Sequence, residues 1–102
     1  MKTLHLNVKK KWFEMIASAE KKEEYREITP YWEKRLYHVC YPRILQFRDY
    51  DIVEFRNGYS ANAKKIRLVC DGITGGIGNY YWGAPNRPVF IIKLGKILKD
   101  TI

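Results

Sequence analysis

The chain of 102 residues has only two cysteines, two histidines and four prolines. Cys40 and Cys70 lie thirty residues apart, with no CxxC pair and no histidine-rich neighbourhood, so a zinc site has no support and no metal is expected. Two lone cysteines suit reduced thiols of a cytoplasmic protein, although a single Cys40–Cys70 disulfide stays open. No apolar run approaches the roughly 20 residues that a membrane span needs. The first eight residues alternate and then turn charged, which does not read as a signal peptide. Acidic residues are also in short supply. Eleven Asp and Glu face nineteen Lys and Arg, for a net charge of +8. Such a surface attracts polyanions at long range, and nucleic acid is the commonest of these because each neutralised phosphate releases a counterion.

Hydrophobic residues make up 46% and aromatics 15%, enough to build one core in one domain spanning residues 1–102. Leu4, Leu6 and Val8 alternate with His5 and Asn7, which predicts a strand. From Lys9 the period lengthens, and Trp12, Phe13, Ile16 and Ala19 fall on one face of a helix ending near Ala19 or Glu20. Residues 21–27 carry no helical stripe. Parity puts Lys22, Glu24 and Arg26 on one side of a second strand, whose charge fits a sheet edge or a cleft wall. Thr29 and Pro30 start a second helix, as N-cap and first helical residue, running to about His38. Residues 41–48, with Pro42, read as a loop. Strands follow at residues 51–56, stopped by Asn57-Gly58, at residues 63–71, and at residues 89–98, an apolar run suited to a central strand. The glycine-rich stretch 72–88 reads as a flexible flap. It lacks the Gly-Lys-Ser/Thr ending of a phosphate loop. Strands outnumber helices and the late ones follow one another directly, so a mixed sheet or small barrel is favoured over a doubly wound fold.

Ala19-Glu20-Lys21-Lys22-Glu23-Glu24-Tyr25-Arg26 resembles the Gly-x-Lys-x-x-Glu-x-Arg signature that follows the first helix of the ASCH family, with Ala19 in place of glycine. Val8-Lys9 before Trp12-Phe13, residues 32–36, Phe55-Arg56-Asn57-Gly58-Tyr59 and Leu94-Gly95-Lys96-Ile97 are similar to the small stand-alone ASCH proteins of bacteria and phages. The resemblance implies an α+β fold, a PUA-like mixed β-barrel of about five or six strands with two short helices. It also implies RNA or nucleotide binding in a cleft, with no cofactor. Some members hydrolyse acetylated cytidine with a Lys, a Thr and a Glu, and a ribonuclease activity has been attached to the family. Lys21 matches the lysine. Glu24 stands where the threonine would, and residues 69–72 offer only Asp71 for the glutamate. The alanine at position 19 implies that the helix end need not be left-handed.

The residues themselves suggest the same chemistry. Lys21 and Arg26 suit phosphate, while Glu24 suits a base amino group or general-base work with Lys21 as its partner. The plainer alternative is a solvated strand with a structural Glu–Arg pair. Arg56, Asn57 and Tyr59 at a strand end, and Tyr81 on the glycine-rich stretch, are further candidates for phosphate, base edge and base stacking. Trp12, Phe13 and Trp32 read as core, with a place at the cleft border as the alternative for Trp12, and Trp82 reads as a seal on the barrel. His5 and His38 have no Ser or Cys partner that the sequence can place.

Overall fold

A computed structural model describes residues 1–40 and 44–98, with the side chains of residues 39, 40 and 44 outside that description. The elements are β1 (Thr3–Val8), α1 (Lys10–Ala17), β2 (Glu23–Arg26), α2 (Pro30–Leu36), β3 (Tyr37–Cys40), β4 (Ile44–Phe47), β5 (Ile52–Asn57), β6 (Lys65–Gly76), a 3-10 turn (Tyr80–Trp82) and β7 (Val89–Ile97). Five strands form one mixed sheet in the order β1-β5-β6-β7-β2. β1 lies parallel to β5, and the other pairs are antiparallel. The fold is α+β and barrel-like, a curled half-barrel with two short helices.

Burial explains each strand. Leu4, Leu6 and Val8 point inward from β1, as their alternation requires, and meet Val53, Phe55, Phe13, Ile16 and Leu36 in the main core. β7 is buried on both faces. Phe90, Ile92 and Leu94 join that core, while Val89 and Ile91 form a second cluster with Tyr25 and Ala84. A strand covered on both sides is apolar without alternation, which is the pattern of residues 89–92. The pairing of β6 with β7 shifts register twice, between Leu68 and Cys70 and again between Cys70 and Ile73. Such shifts bend a strand and curl its sheet. The curl turns the two outer strands, β1 and β2, towards each other, and the Arg26 guanidinium donates to the Asn7 carbonyl at 3.0 Å across the gap.

Three expectations need correction. The loop expected at 41–48 is partly a strand, because β4 pairs with β3 as a separate hairpin, and residues 41–43 lie outside the described residues. The flap expected from Gly72 begins as strand, since β6 runs on to Gly76. Third, the end of α1 is left-handed after all, with Ala19 at φ 65°. There Glu20 N–H donates to the Met15 carbonyl and Ala19 N–H to the Ile16 carbonyl, both at 3.0 Å. These are the two bonds of a Schellman cap, with Ala19 in the position that glycine favours. The second helix begins as expected, with Thr29 Oγ1 accepting from Trp32 N–H and Pro30 in the first turn. Cys70 is a half-buried free thiol, and the Cys40 side chain is outside the described residues.

An alanine Cβ in the left-handed region costs about 1 kcal/mol more than glycine does, part of which glycine returns as unfolded-chain entropy. Ala19→Gly is therefore expected to stabilise the protein by about 0.5 kcal/mol in urea denaturation. Equal or lower stability would refute this reading of the helix end.

Candidate functional site

The gap between the two sheet edges is a cleft of about 460 Å³. One wall is the edge of β1, with His5, Asn7 and Val8; the other is β2, with Glu24, Tyr25 and Arg26. Lys9 and Trp12 at the start of α1, Tyr31 and Trp32 of α2, Trp82 and Gly83 of the 3-10 turn, and the exposed Tyr59 complete it. The volume falls within the range of about 300–1,000 Å³ typical of small-molecule sites.

Its floor is ionic. Glu24, only 5% exposed, has Oε1 3.1 Å from the Lys21 amine and Oε2 3.1 Å from the Arg26 guanidinium. The Tyr25 N–H also donates to Oε1 at 3.0 Å. Lys21 is 2% exposed and does not line the cleft. Its amine donates to the Trp82 carbonyl and sits 4.6 Å from the Trp12 ring centre and 5.0 Å from that of Tyr25. Burial pushes the amine below its ordinary value of 10.5, and Glu24 opposes that shift. Arg26 is equally committed. It donates to the Tyr25 carbonyl at 2.7 Å as well as to Asn7, and its guanidinium lies 5.2 Å from the Trp32 ring centre.

Two cations around one carboxylate leave the floor with a net positive charge. They also make the floor rigid. Lys21 joins the end of α1 to β2 and to the 3-10 turn, and Arg26 joins β2 to β1. The turn approaches closely because its glycines have no Cβ. A Cβ on Gly83 (φ 98°) would lie 2.9 Å from the Trp12 ring, and one on Gly78 would lie 2.4 Å from the Tyr25 ring. The glycine-rich stretch thus serves close packing rather than flexibility. Tyr25 adds a further tie, its hydroxyl donating to Glu23 Oε1 at 2.7 Å and accepting from Asn79 N–H at 2.9 Å.

The sequence candidates divide accordingly. Lys21, Glu24 and Arg26 converge, but only Glu24 and Arg26 reach the cleft wall, and the two cations face Glu24 rather than open space. Tyr59 stands at the cleft mouth. Arg56 lines a neighbouring depression with His5 and Lys65, and Tyr81 lines another with Lys11 and Trp12. Asn57 ends β5 opposite Val8 and is not among the cleft residues. Trp12 and Trp32, expected in the core, are half-buried: they pack against the main core and also wall the cleft. Trp82 is half-buried too, packing on the second cluster while facing the cleft. Its place in the run Tyr80-Tyr81-Trp82 is the sequence signal that marks it as an aromatic of interest. Among the described residues, no three His, Cys, Asp or Glu side chains form a group that could hold a metal ion, and no helix is long and apolar enough to cross a membrane.

No family model, curated protein or solved structure matches the chain.

Burial raises the Tyr25 phenol above its ordinary value of 10.0; the Asn79 N–H opposes the shift and Glu23 reinforces it. A raised value stabilises the folded state below the unfolded value, and that stabilisation is lost as the phenol of the folded protein ionises. Tyr25→Phe is expected to cost about 1 kcal/mol at neutral pH through its two hydrogen bonds. The deficit relative to wild type should narrow as pH rises above 10.0, followed by urea denaturation at each pH. A deficit that stays constant with pH would contradict the assignment.

Proposed function

We infer that this chain is a nucleotide-binding domain of the ASCH type that takes one planar base into the cleft between β1 and β2. The observation that carries this reading is the convergence of Trp12, Trp32 and Trp82 around a buried carboxylate with acceptor capacity to spare. An ionised carboxylate offers about four acceptor sites. Lys21, Arg26 and the Tyr25 N–H occupy three around Glu24. The remaining site suits an exocyclic amino group, as on cytosine, adenine or guanine. The net positive floor suits the carbonyl oxygens and phosphate of the same ligand. Tyr59, 85% exposed at the mouth, is free to cover the base.

Hydrolysis is the competing reading, with Lys21 and Glu24 as acid/base pair, and the lowered value of the Lys21 amine is what favours it. Against it, that amine is sealed from the cleft, and among the described residues no Ser, Thr or Cys lines the cleft. Binding is therefore the better-supported reading.

Titrating nucleoside monophosphates should quench tryptophan fluorescence, most weakly for the uridine nucleotide, which lacks an amino group. Trp32→Ala should weaken binding roughly tenfold, given about 1–3 kcal/mol per stacked base. Ligand should be recovered intact after incubation. No quenching by any of the four nucleotides would remove the proposal, and deacetylation of acetylcytidine or cleavage of RNA would replace it with the hydrolase reading.

A further inference from the structure

The cleft does not stand alone. On one side it shares His5 and Asn7 with a second depression of about 360 Å³, and on the other it shares Trp12 and Gly83 with a third of about 350 Å³. The two flanks differ in chemistry.

The second depression lies on the outer face of β1, β5 and β6, where side chains stand in rows. In one row, Glu54 sits between His5 and Arg67, with Oε2 2.9 Å from His5 Nδ1 and Oε1 3.3 Å from Arg67 Nε. The acid there is matched by its neighbours. The next row is Asn7, Arg56 and Lys65, and Arg56 and Lys65 are direct cross-strand partners. Like charges in that position repel. Both are half-buried, and among the described residues no carboxylate pairs with either. An anion placed between them would relieve the repulsion, and a phosphate matches the arginine fork beside a lysine point charge.

The third depression is lined by Lys11, Trp12, Tyr80 and Tyr81. Tyr80 and Tyr81 are 77% and 81% exposed, with ring centres 5.8 Å apart and nearly perpendicular. They stand on the turn that Lys21 holds through the Trp82 carbonyl and that Asn79 caps by accepting from Tyr81 N–H. Large exposed rings on a pinned turn mark a surface that something covers. Base faces stack on such rings without regard to sequence.

We propose that the cleft is the middle of a track for single-stranded nucleic acid, with a phosphate subsite at Arg56 and Lys65 and a base-stacking platform at Tyr80 and Tyr81. This rests on the nucleotide reading of the cleft and extends it from one base to a chain. A duplex is unsuited, because its bases are already stacked and cannot reach either the cleft or the platform.

The test is fluorescence anisotropy with labelled single strands of about ten nucleotides, RNA and DNA separately, against the matching duplexes and mononucleotides. Wild type should bind a single strand at least tenfold more tightly than the mononucleotide or the duplex. Tight binding of either polymer supports the track, and their ratio identifies the natural source. Arg56→Ala/Lys65→Ala should lower the slope of log affinity against log salt by about 0.7, the loss of the one phosphate contact the pair shares. Arg56→Gln/Lys65→Gln, which keeps side-chain bulk, should do the same. Tyr80→Ala/Tyr81→Ala should weaken single-strand binding at least fivefold with the slope retained. A single strand bound no tighter than its mononucleotide or its duplex, or affinity and slope left at wild-type values by both sets of substitutions, overturns the track while leaving the one-base cleft intact. If wild type binds neither polymer nor mononucleotide, the cleft reading and the track fall together.

Discussion

Glu24 is a buried carboxylate shared by two cations, and the arrangement of the cleft depends on it. Isolated, any of these three charges would be expensive to bury, since desolvation costs several kcal/mol per ion. Together they satisfy one another, and each cation uses its remaining donors on backbone carbonyls of a different element. Lys21 reaches Trp82 in the 3-10 turn, and Arg26 reaches Asn7 in β1. The half-barrel is thereby held at a fixed opening without a continuous ladder between β1 and β2. Hydrophobic packing alone would close such a gap or leave it undefined. A charge network with directional bonds sets its width.

The same network explains why the walls are aromatic. Trp12 and Tyr25 lie within cation–π distance of Lys21, and Trp32 within that of Arg26. Each ring therefore has one face or edge occupied by the ionic floor and another on the cleft. Ring positions are fixed in the unliganded protein, and a preorganised wall of this kind lowers the ordering cost that the proposed binding would meet. The left-handed Ala19 belongs to this design. It reverses the chain after α1, and the Lys21 N–H also donates to the Met15 carbonyl at 3.0 Å, so the lysine enters the floor from a defined direction.

Much of this was legible in the sequence, and what was not has physical reasons. Alternation in residues 3–8 and the Thr29-Pro30 cap depend on neighbours in the chain, and both took the expected form. The edge position of β2 followed from its charge, and the internal position of β7 from its lack of alternation. The hairpin of β3 and β4 was hidden because Pro42 and a mixed pattern mask two four-residue strands that pair only with each other. No local signal distinguishes a lysine that is 2% exposed from a solvated one; Lys21 is buried where a carbonyl sixty-one residues later accepts its hydrogen bond. Glycine count suggested flexibility in residues 72–83, whereas Gly78 and Gly83 admit the rings of Tyr25 and Trp12, a tertiary requirement. Arg56 was visible as a candidate, but its partner Lys65 emerged only from the register of β5 against β6.

The central claim is that the Lys21–Glu24 contact is an energetic unit, and a double-mutant cycle measures it. Urea denaturation of wild type, Lys21→Met, Glu24→Gln and the double variant gives the coupling free energy. The account predicts that the double variant is more stable than the sum of the single losses by about 2 kcal/mol, because Glu24→Gln leaves the buried Lys21 amine without its carboxylate, and Lys21→Met removes that charge. Losses that add to within about 0.5 kcal/mol would show the two groups to be independent and would contradict it.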